Sequence, residues 1–186
     1  MEDRAYVSYG GWLRRVLGKG CKRVWEDKGD IEVEVGREDL VGVMRFLRDN
    51  VNCQYKQVVD MAGVDRGVGK EGEGRFKVVY QLLSVRYSRR LRVSVYVEGE
   101  EGVETLTGLY KGVDWFEREL WDMYGVAVEG HKDLRRLLTD YGFKGHPMRK
   151  DFPLTGYVEV RYDEKRKGVV TEGVEMSQEL RSWEVV

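Results

Sequence analysis

The residues best suited to bind a ligand or a metal ion lie close together late in the chain. Both histidines, His131 and His146, and both prolines, Pro147 and Pro153, fall between positions 131 and 153. Two imidazoles could hold a metal ion, but a stable site needs further ligands at compatible spacing, and the neighbouring sequence supplies none. We therefore predict a geometric role, in which the imidazole of His146 donates a hydrogen bond to a backbone carbonyl and the prolines stiffen the segment. A two-histidine metal site is the alternative.

A second concentration of reactive groups lies just upstream. Residues 114–124 combine four acidic with four aromatic side chains, and two carboxylates could act together as a general acid and a general base. A small independent enzyme of this kind would use Glu117, Glu119 or His146 in acid–base chemistry. Activity of the purified chain alone would identify it.

Helical spacing favours a structural or interface role for the same segment. Asp114, Arg118 and Asp122 lie four residues apart, so on a helix they would form a charged ladder in which Arg118 neutralises both acids. Asp114 also suits the N-cap of such a helix, and Gly125 suits the position just after its end. We predict a helix over 115–124.

A glycine-rich stretch, Gly67-Val-Gly69-Lys-Glu-Gly72, matches the letters of a dinucleotide-binding loop. That loop requires a preceding strand and a following helix whose N-terminus holds the phosphates. Here the stretch leads into a predicted strand, so no helix dipole would face a phosphate. We predict a flexible loop over 63–74 without nucleotide binding.

Hydrophobic periodicity predicts the remaining elements. Helical spacing indicates helices over 37–50 and 133–138. Alternating or continuous apolar runs indicate strands over 55–61, 75–84, 89–98, 157–162 and 169–176. The second and third of these strands are joined by a short turn and should pair as a hairpin.

This order of elements predicts an α+β fold. We expect a small antiparallel or mixed sheet with helices packed on one face, followed by a long extended C-terminal segment. The predicted division is an N-terminal extension over 1–30, an α+β core domain over 31–130, and a C-terminal docking segment over 131–186.

Composition narrows the classes of function. The chain has 32 basic and 33 acidic residues and a net charge of −1, which weighs against nucleic-acid binding because that normally requires a basic excess. Its two cysteines, Cys21 and Cys53, are too few and too far apart for a structural zinc site, and we expect buried thiols. No apolar run approaches the roughly 20 residues that span a bilayer.

The window over 131–154 mixes basic residues with many apolar ones. A loop this apolar cannot be wholly exposed, so it either folds onto its own domain or docks on another protein. Basic side chains beside aromatic ones are typical of interface anchors. The alternative is a phosphate- or nucleic-acid-binding module, which would bind in a salt-sensitive manner.

Two long runs of sequence carry a family resemblance. They are Trp115-Phe-Glu-Arg-Glu-Leu-Trp-Asp-Met-Tyr-Gly125 and Gly130-His-Lys-Asp-Leu-Arg-Arg-Leu-Leu-Thr-Asp-Tyr-Gly-Phe-Lys-Gly-His-Pro-Met-Arg-Lys-Asp-Phe-Pro-Leu154. Both, together with the shorter run Gly156-Tyr-Val-Glu-Val-Arg-Tyr162, resemble the thirty-kilodalton subunit of respiratory complex I, which is the proton-pumping NADH:ubiquinone oxidoreductase. The nearest form is the mitochondrially encoded one, called subunit nine, and weaker similarity reaches back to about Ile31.

The resemblance implies a non-catalytic core subunit of the peripheral arm. FMN, iron–sulfur clusters and ubiquinone would be bound by partner subunits and not by this chain. The chain would scaffold the quinone-reducing module by docking on the forty-nine-kilodalton subunit, beside cluster-carrying neighbours, and would bind no nucleic acid. The expected location is the matrix side of the mitochondrial inner membrane, or alternatively the cytoplasmic side of a bacterial membrane, without a membrane span of its own.

The candidate interface residues are taken from the two runs. They are Glu117, Arg118, Asp122, Arg135, Arg136, Asp140, Tyr141, His146, Arg149, Lys150, Asp151 and Phe152. We expect the four basic residues at 135, 136, 149 and 150 to pair with acids, some of them across the subunit boundary.

Overall fold

The computed structural model describes residues 8–27, 29–67, 74–98, 101–178 and 181. Its centre is a five-stranded sheet, and a single hydrophobic core lies between this sheet and three helices. The strands of the sheet are β1 (Cys21–Asp27), β2 (Asp30–Val35), β3 (Gln57–Asp65), β4 (Phe76–Ser84) and β5 (Arg89–Val97). Their spatial order is β1-β2-β5-β4-β3, with β2 and β5 parallel and all other neighbours antiparallel. The predicted α+β class with a mixed sheet is confirmed.

Strands β4 and β5 form because their apolar residues alternate strictly. Phe76, Val78 and Tyr80 point into the core and are fully buried, while the residues between them are only half buried. The two strands pair antiparallel over their whole lengths, from Phe76 opposite Val97 to Ser84 opposite Arg89. The predicted hairpin is therefore confirmed.

Three helices cover one face of the sheet. They are α1 (Tyr9–Leu17), α2 (Leu40–Asp49) and α3 (Val113–Tyr124). Each contributes apolar side chains to the common core, such as Leu13, Met44 and Leu120. Helix α3 begins at Val113 with Gly112 as its N-cap, so the prediction of Asp114 at that position was wrong by two residues. The predicted stop is confirmed, because Gly125 caps the helix in the left-handed conformation.

Part of the segment predicted as an N-terminal extension is built into the domain. Helix α1 packs on β1, and β1 is an edge strand paired with β2. Charged residues such as Lys22 and Arg23 interrupt the apolar pattern of β1 because an edge strand is partly solvated, and this weakens the sequence signal. Residues 1–7 and 28 lie outside the described part of the chain.

Strand β3 extends into the region predicted as a flexible loop, because Gly63 lies within it. A Cβ atom at Gly63 would come within 2.6 Å of the Tyr124 ring on α3. Glycine in a strand often marks such a close approach, so this glycine signals packing and not flexibility. The prediction was wrong for residues 63–65, and residues 68–73 of the predicted loop lie outside the described residues.

Short strands complete the core, and a separate hairpin follows. Strands β6 (Val103–Glu104) and β7 (Val128–Glu129) pair in parallel. Strands β8 (Val158–Asp163) and β9 (Gly168–Gly173) pair antiparallel, close to the two strands predicted there. Among the described residues, no helix is long and apolar enough to cross a membrane.

Candidate interface: the docking segment and its anchors

The docking segment, residues 131–186, begins with irregular backbone in place of the short helix predicted over 133–138. That prediction was wrong because a buried carboxylate takes the backbone donors that a helix would use. Asp122 on α3 accepts hydrogen bonds from the N–H groups of Leu137, Leu138 and Thr139 at 3.1, 2.7 and 2.9 Å. A side-chain acceptor that competes for backbone N–H groups favours an irregular turn over a helix.

Asp122 is held ionised although it is fully buried. Burial by itself would raise the pKa of its carboxyl, but hydrogen bonds from the Thr139 hydroxyl (2.6 Å) and from the three N–H groups lower that pKa to about 2. Each of these bonds stabilises the charged form. The carboxylate therefore anchors the docking segment to α3 at any pH near neutrality.

Arg136 supplies the counter-charge for Asp122. Its Nη1 donates to Asp122 Oδ1 at 3.0 Å and to the carbonyl of Gly145 at 2.9 Å. The guanidinium also lies over the Phe143 ring, 5.8 Å from its centroid. One side chain thus ties together α3, the 136–139 turn and the Gly145 turn.

Arg118 does not form the ladder predicted for it. Its side chain donates to the carbonyls of Arg135 and Arg136, both at 3.3 Å, and lies over the Trp115 ring. Arg118 binds these carbonyls instead of the acids of its own helix because the docking segment crosses α3 at this point. The Arg118 side chain is therefore buried beneath the segment. The predicted neutralisation of Asp114 and Asp122 by Arg118 is wrong.

Glu117 on α3 lies beside His131, the first residue of the segment. Glu117 is fully buried and accepts from the N–H of Leu106 and the hydroxyl of Thr105, both at 2.7 Å. Burial raises the pKa of its carboxyl. Nδ1 of His131 accepts the N–H of Asp133, so in the neutral ring Nε2 carries the proton, 3.2 Å from Asp114 and 3.7 Å from Glu117. No group of three potential ligands suited to a metal ion occurs in the described residues.

Two side chains of the docking segment cap the C-terminal end of α3 by binding its backbone carbonyls. His146 Nδ1 lies 3.0 Å from the carbonyl of Asp122, which can only accept, so the predicted donation by this imidazole to a backbone carbonyl is confirmed. Arg149 Nε donates to the carbonyl of Tyr124 at 2.5 Å. Both satisfy carbonyls that a helix end leaves without partners, and the cation of Arg149 suits the negative end of the helix dipole. Burial lowers the pKa of His146, which favours its neutral form.

Gly125 leaves room for His146 and Arg149 at the end of α3. We predict that Gly125→Ala lowers the free energy of unfolding by about 1–3 kcal/mol. Gly125 has φ +69°, and a Cβ there would clash with Arg149 Nη2 and would lie 2.5 Å from His146 Nε2. Chemical denaturation of the purified chain measures the change. The control is Gly42→Ala in the exposed middle of α2, where a Cβ meets nothing within 4 Å. That change should stabilise by about 0.5–1 kcal/mol, and equal effects at both sites would contradict the prediction.

The far end of the irregular stretch is tied to the sheet. Asp65, at the end of β3, accepts from the Arg75 guanidinium at 2.8 Å and from the N–H of Lys150 at 2.8 Å. Arg75 also pairs with Asp151 at 2.9 Å. The Arg75 hydrogen bond holds the pKa of Asp65 well below its usual range. Sequence reasoning missed Asp65 and Arg75, because Lys150 and Asp151, their partners in the docking segment, lie far along the chain.

The structure sorts the twelve predicted interface residues into two groups. Seven are buried or half buried, and their contacts lie largely within this chain: Glu117, Arg118, Asp122, Arg136, His146, Arg149 and Phe152. Five are exposed: Arg135, Asp140, Tyr141, Lys150 and Asp151. Arg149 binds carbonyls instead of an acid, Arg135 pairs with the exposed Asp133, and Tyr141 is fully exposed.

The β8–β9 hairpin exposes an apolar face that sequence reasoning did not single out. The strand register places Val158, Val160, Tyr162 and Val169 on one side of the hairpin. Their exposed fractions are 55%, 57%, 56% and 70%. The other side carries the Arg161–Glu172 ion pair at 2.7 Å. The alternation of the sequence could have revealed this face once the pairing of the strands was known.

Comparison with known proteins decides the family. The family described as "Respiratory-chain NADH dehydrogenase, 30 Kd subunit" matches residues 33–158. The chain belongs to this family. The resemblance stated from the sequence is thereby confirmed, and the chain is a core subunit of respiratory complex I.

Individual relatives in the family are close to this chain. NADH-ubiquinone oxidoreductase subunit 9 of Reclinomonas americana is 49% identical over 182 residues, which cover 98% of this chain and 88% of the relative. The corresponding NADH-quinone oxidoreductase subunit of the bacterium Agrobacterium fabrum is 51% identical over 156 residues, which cover 84% of this chain and 76% of the relative.

A solved structure shares the fold. It comes from the membrane-bound sulfane sulfur reductase, an archaeal respiratory membrane complex, with a TM-score of 0.63 and 20% sequence identity. The match covers 77% of this chain and 84% of the other. At this identity the likeness concerns the fold alone.

Proposed function

We propose that this complex I subunit is a non-catalytic scaffold of the peripheral arm. In this proposal its docking segment binds the forty-nine-kilodalton subunit and supports the quinone-reducing module. The observation that carries the proposal is the apolar face of the β8–β9 hairpin, with four large side chains each more than half exposed. A two-stranded hairpin is at best marginally stable in water unless something packs against it, and an exposed apolar patch rimmed by charge is typical of a protein interface.

The anchors described above support a scaffolding role over a catalytic one. Glu117 and His146, two candidates for acid–base chemistry, bind backbone groups of this chain. The third candidate, Glu119, is exposed. We propose that FMN, the iron–sulfur clusters and ubiquinone are bound by partner subunits. The chain then contributes to electron transfer from NADH to ubiquinone by keeping those partners in place.

The proposed location is the matrix side of the mitochondrial inner membrane. The similarity to subunit 9 of Reclinomonas americana supports this assignment. The bacterial relatives favour the alternative, which is the cytoplasmic side of a bacterial membrane. In either case the partners, and not this subunit, would hold it at the membrane.

The hairpin provides a direct test of docking. We expect Val169→Asp to lower the fraction of this subunit found in assembled complex by about tenfold or more, since an unpaired carboxylate in an apolar interface costs well over 1.4 kcal/mol. Native gel electrophoresis of solubilised membranes from cells carrying the change measures that fraction. Because Val169 is 70% exposed, the unfolding midpoint of the isolated variant should stay near that of the wild type.

The matched control is the neighbouring residue on the opposite side of the hairpin. Val170 lies opposite Arg161 on the charged face, so Val170→Asp should leave assembly intact. Equal loss from both changes would mean that the hairpin is merely destabilised, and normal assembly with Val169→Asp would refute the proposed interface. A photo-crosslinking residue at Tyr162 should capture the forty-nine-kilodalton subunit, and capture of a different subunit would reject that partner.

A further inference from the structure

A groove of about 650 Å³ lies between the irregular stretch and the base of the hairpin. It is lined mainly by apolar groups, among them Phe143, Pro147, Phe152, Leu154 and Tyr157. Its size falls in the range of about 300–1,000 Å³ that is usual for ligand-binding pockets. Leu154 is 85% exposed, so a large apolar side chain lies open at the edge of the groove.

The groove is continuous with the hairpin face that carries the docking proposal. Val158 and Thr171, which lie on the same side of the hairpin as Val160 and Val169, also line the groove. A partner that covers the hairpin face therefore reaches the groove without crossing a polar barrier. One segment of a partner is therefore able to cover the hairpin face and occupy the groove.

The floor of the groove is formed by aromatic rings that pack against one another. The Phe143 and Phe152 rings lie 5.9 Å apart, and Tyr157 meets Phe152 edge-on at 5.4 Å. Gly145 lets Phe152 approach the backbone closely, because a Cβ there would lie 2.8 Å from the ring and its φ is +94°. A floor that is already ordered avoids the entropic cost of immobilising side chains on binding.

Lys144 gives the groove its charge. Among the described residues that line the groove, it is the only charged one. No ion pair involving its ammonium group forms with the described part of this chain, and its side chain is exposed. A cation at the rim of an apolar groove favours a ligand that carries a carboxylate beside a large apolar group.

We infer that this groove binds an extended segment of the docking partner that presents a large apolar side chain to the Phe143–Phe152–Tyr157 floor and a carboxylate to Lys144. This inference rests on the proposed docking function and adds the chemistry of the segment that is recognised. The apolar side chain would act as the buried anchor, and the carboxylate pair at the rim would fix its direction.

Photo-crosslinking in the intact complex tests the groove separately from the hairpin. A crosslinking residue at Thr155, which lines the groove and is exposed, should capture a partner peptide that contains an acidic residue near an aromatic or large aliphatic one. The comparison is the crosslinking residue at Tyr162. If that position captures a partner while Thr155 captures none, the groove inference fails and docking stands. If neither captures a partner, both fail.

Charge reversal at the rim provides the second measurement. Lys144→Glu should lower the assembled fraction by about tenfold, while Lys144→Arg should keep it within about twofold. The matched control is Lys132→Glu, another exposed lysine of the docking segment that does not line the groove. Equal loss with the two glutamate variants, or none with Lys144→Glu, would overturn the assigned carboxylate contact.

Discussion

Replacing Asp122 with alanine should lower the free energy of unfolding of the full chain by about 3–5 kcal/mol, because removing one member of a buried ion pair leaves the other uncompensated. The variant leaves the Arg136 guanidinium without its carboxylate, and it leaves three backbone N–H groups and the Thr139 hydroxyl without their acceptor. Urea denaturation, followed by the fluorescence of the five tryptophans, measures the change.

The pH dependence of stability should change in the same variant. The pKa of Asp122 is about 2 in the folded chain, compared with an ordinary value of 3.8. Its ionised form therefore contributes stability that is fully present above pH 3.8 and is lost as the pH falls towards 2. This contribution is about 2 kcal/mol. The wild type should lose that amount over this window, and Asp122→Ala should lose correspondingly less.

The control for Asp122 is an acid of the docking segment that faces solvent. Asp133 pairs with Arg135 at 2.9 Å, but both side chains are about two-thirds exposed. Asp133→Ala should therefore cost between 0 and about 1 kcal/mol. If the two alanine variants unfolded at the same urea concentration, Asp122 would not be the anchor that its hydrogen bonds indicate.

Much of the fold could be predicted from local patterns. Strands β4 and β5 and helix α2 follow from alternation or helical spacing that a short window contains, and Gly125 marks a helix end by residue type alone. Prediction failed where a residue contacts a part of the chain that is distant in the sequence. Gly63 was taken for flexibility because nothing near it in the sequence shows that Tyr124 packs against it.

The contacts of the candidate site could not be predicted from helical spacing. Sequence reasoning predicted that residues 131–153 have the most fixed geometry in the chain, and it paired Arg118 with the acids of its own helix. In the structure both side chains bind backbone groups of the docking segment instead. Asp122 accepts hydrogen bonds from N–H groups, and Arg118 donates to carbonyls. Helical spacing describes neighbours within a helix and carries no information about a segment that crosses it.

The docking segment therefore has two kinds of residue with different consequences when changed. Buried anchors such as Asp122 set its shape, so their loss affects the free chain as well as the complex. We expect the replacement of exposed apolar residues such as Val169 and Leu154 to change the stability of the free chain little and to lower mainly the amount of assembled complex. Stability of the isolated chain and the fraction of assembled complex, measured together, separate the two kinds.

Arg136→Ala should reduce the amount of assembled complex far more than it reduces turnover per assembled complex. The guanidinium joins Asp122, the Gly145 carbonyl and the Phe143 ring, so its loss loosens both the anchor and the floor of the groove. We expect a loss of about 3–5 kcal/mol of stability and an assembled fraction lowered by more than tenfold. Native gels give the assembled fraction, and NADH:ubiquinone reductase activity, divided by the flavin content of the assembled band, gives turnover.

Arg135→Ala is the matched control, because Arg135 is the adjacent arginine and its own side chain pairs only at the surface. It should leave both the assembled fraction and the turnover within about twofold of wild type, since an exposed pair contributes between 0 and about 1 kcal/mol. A scaffold residue changes how many complexes form, whereas a residue near the redox chemistry changes how fast each complex works. Normal assembly of Arg136→Ala with lost turnover would therefore place Arg136 in the reaction path and reject the scaffolding role proposed for its segment.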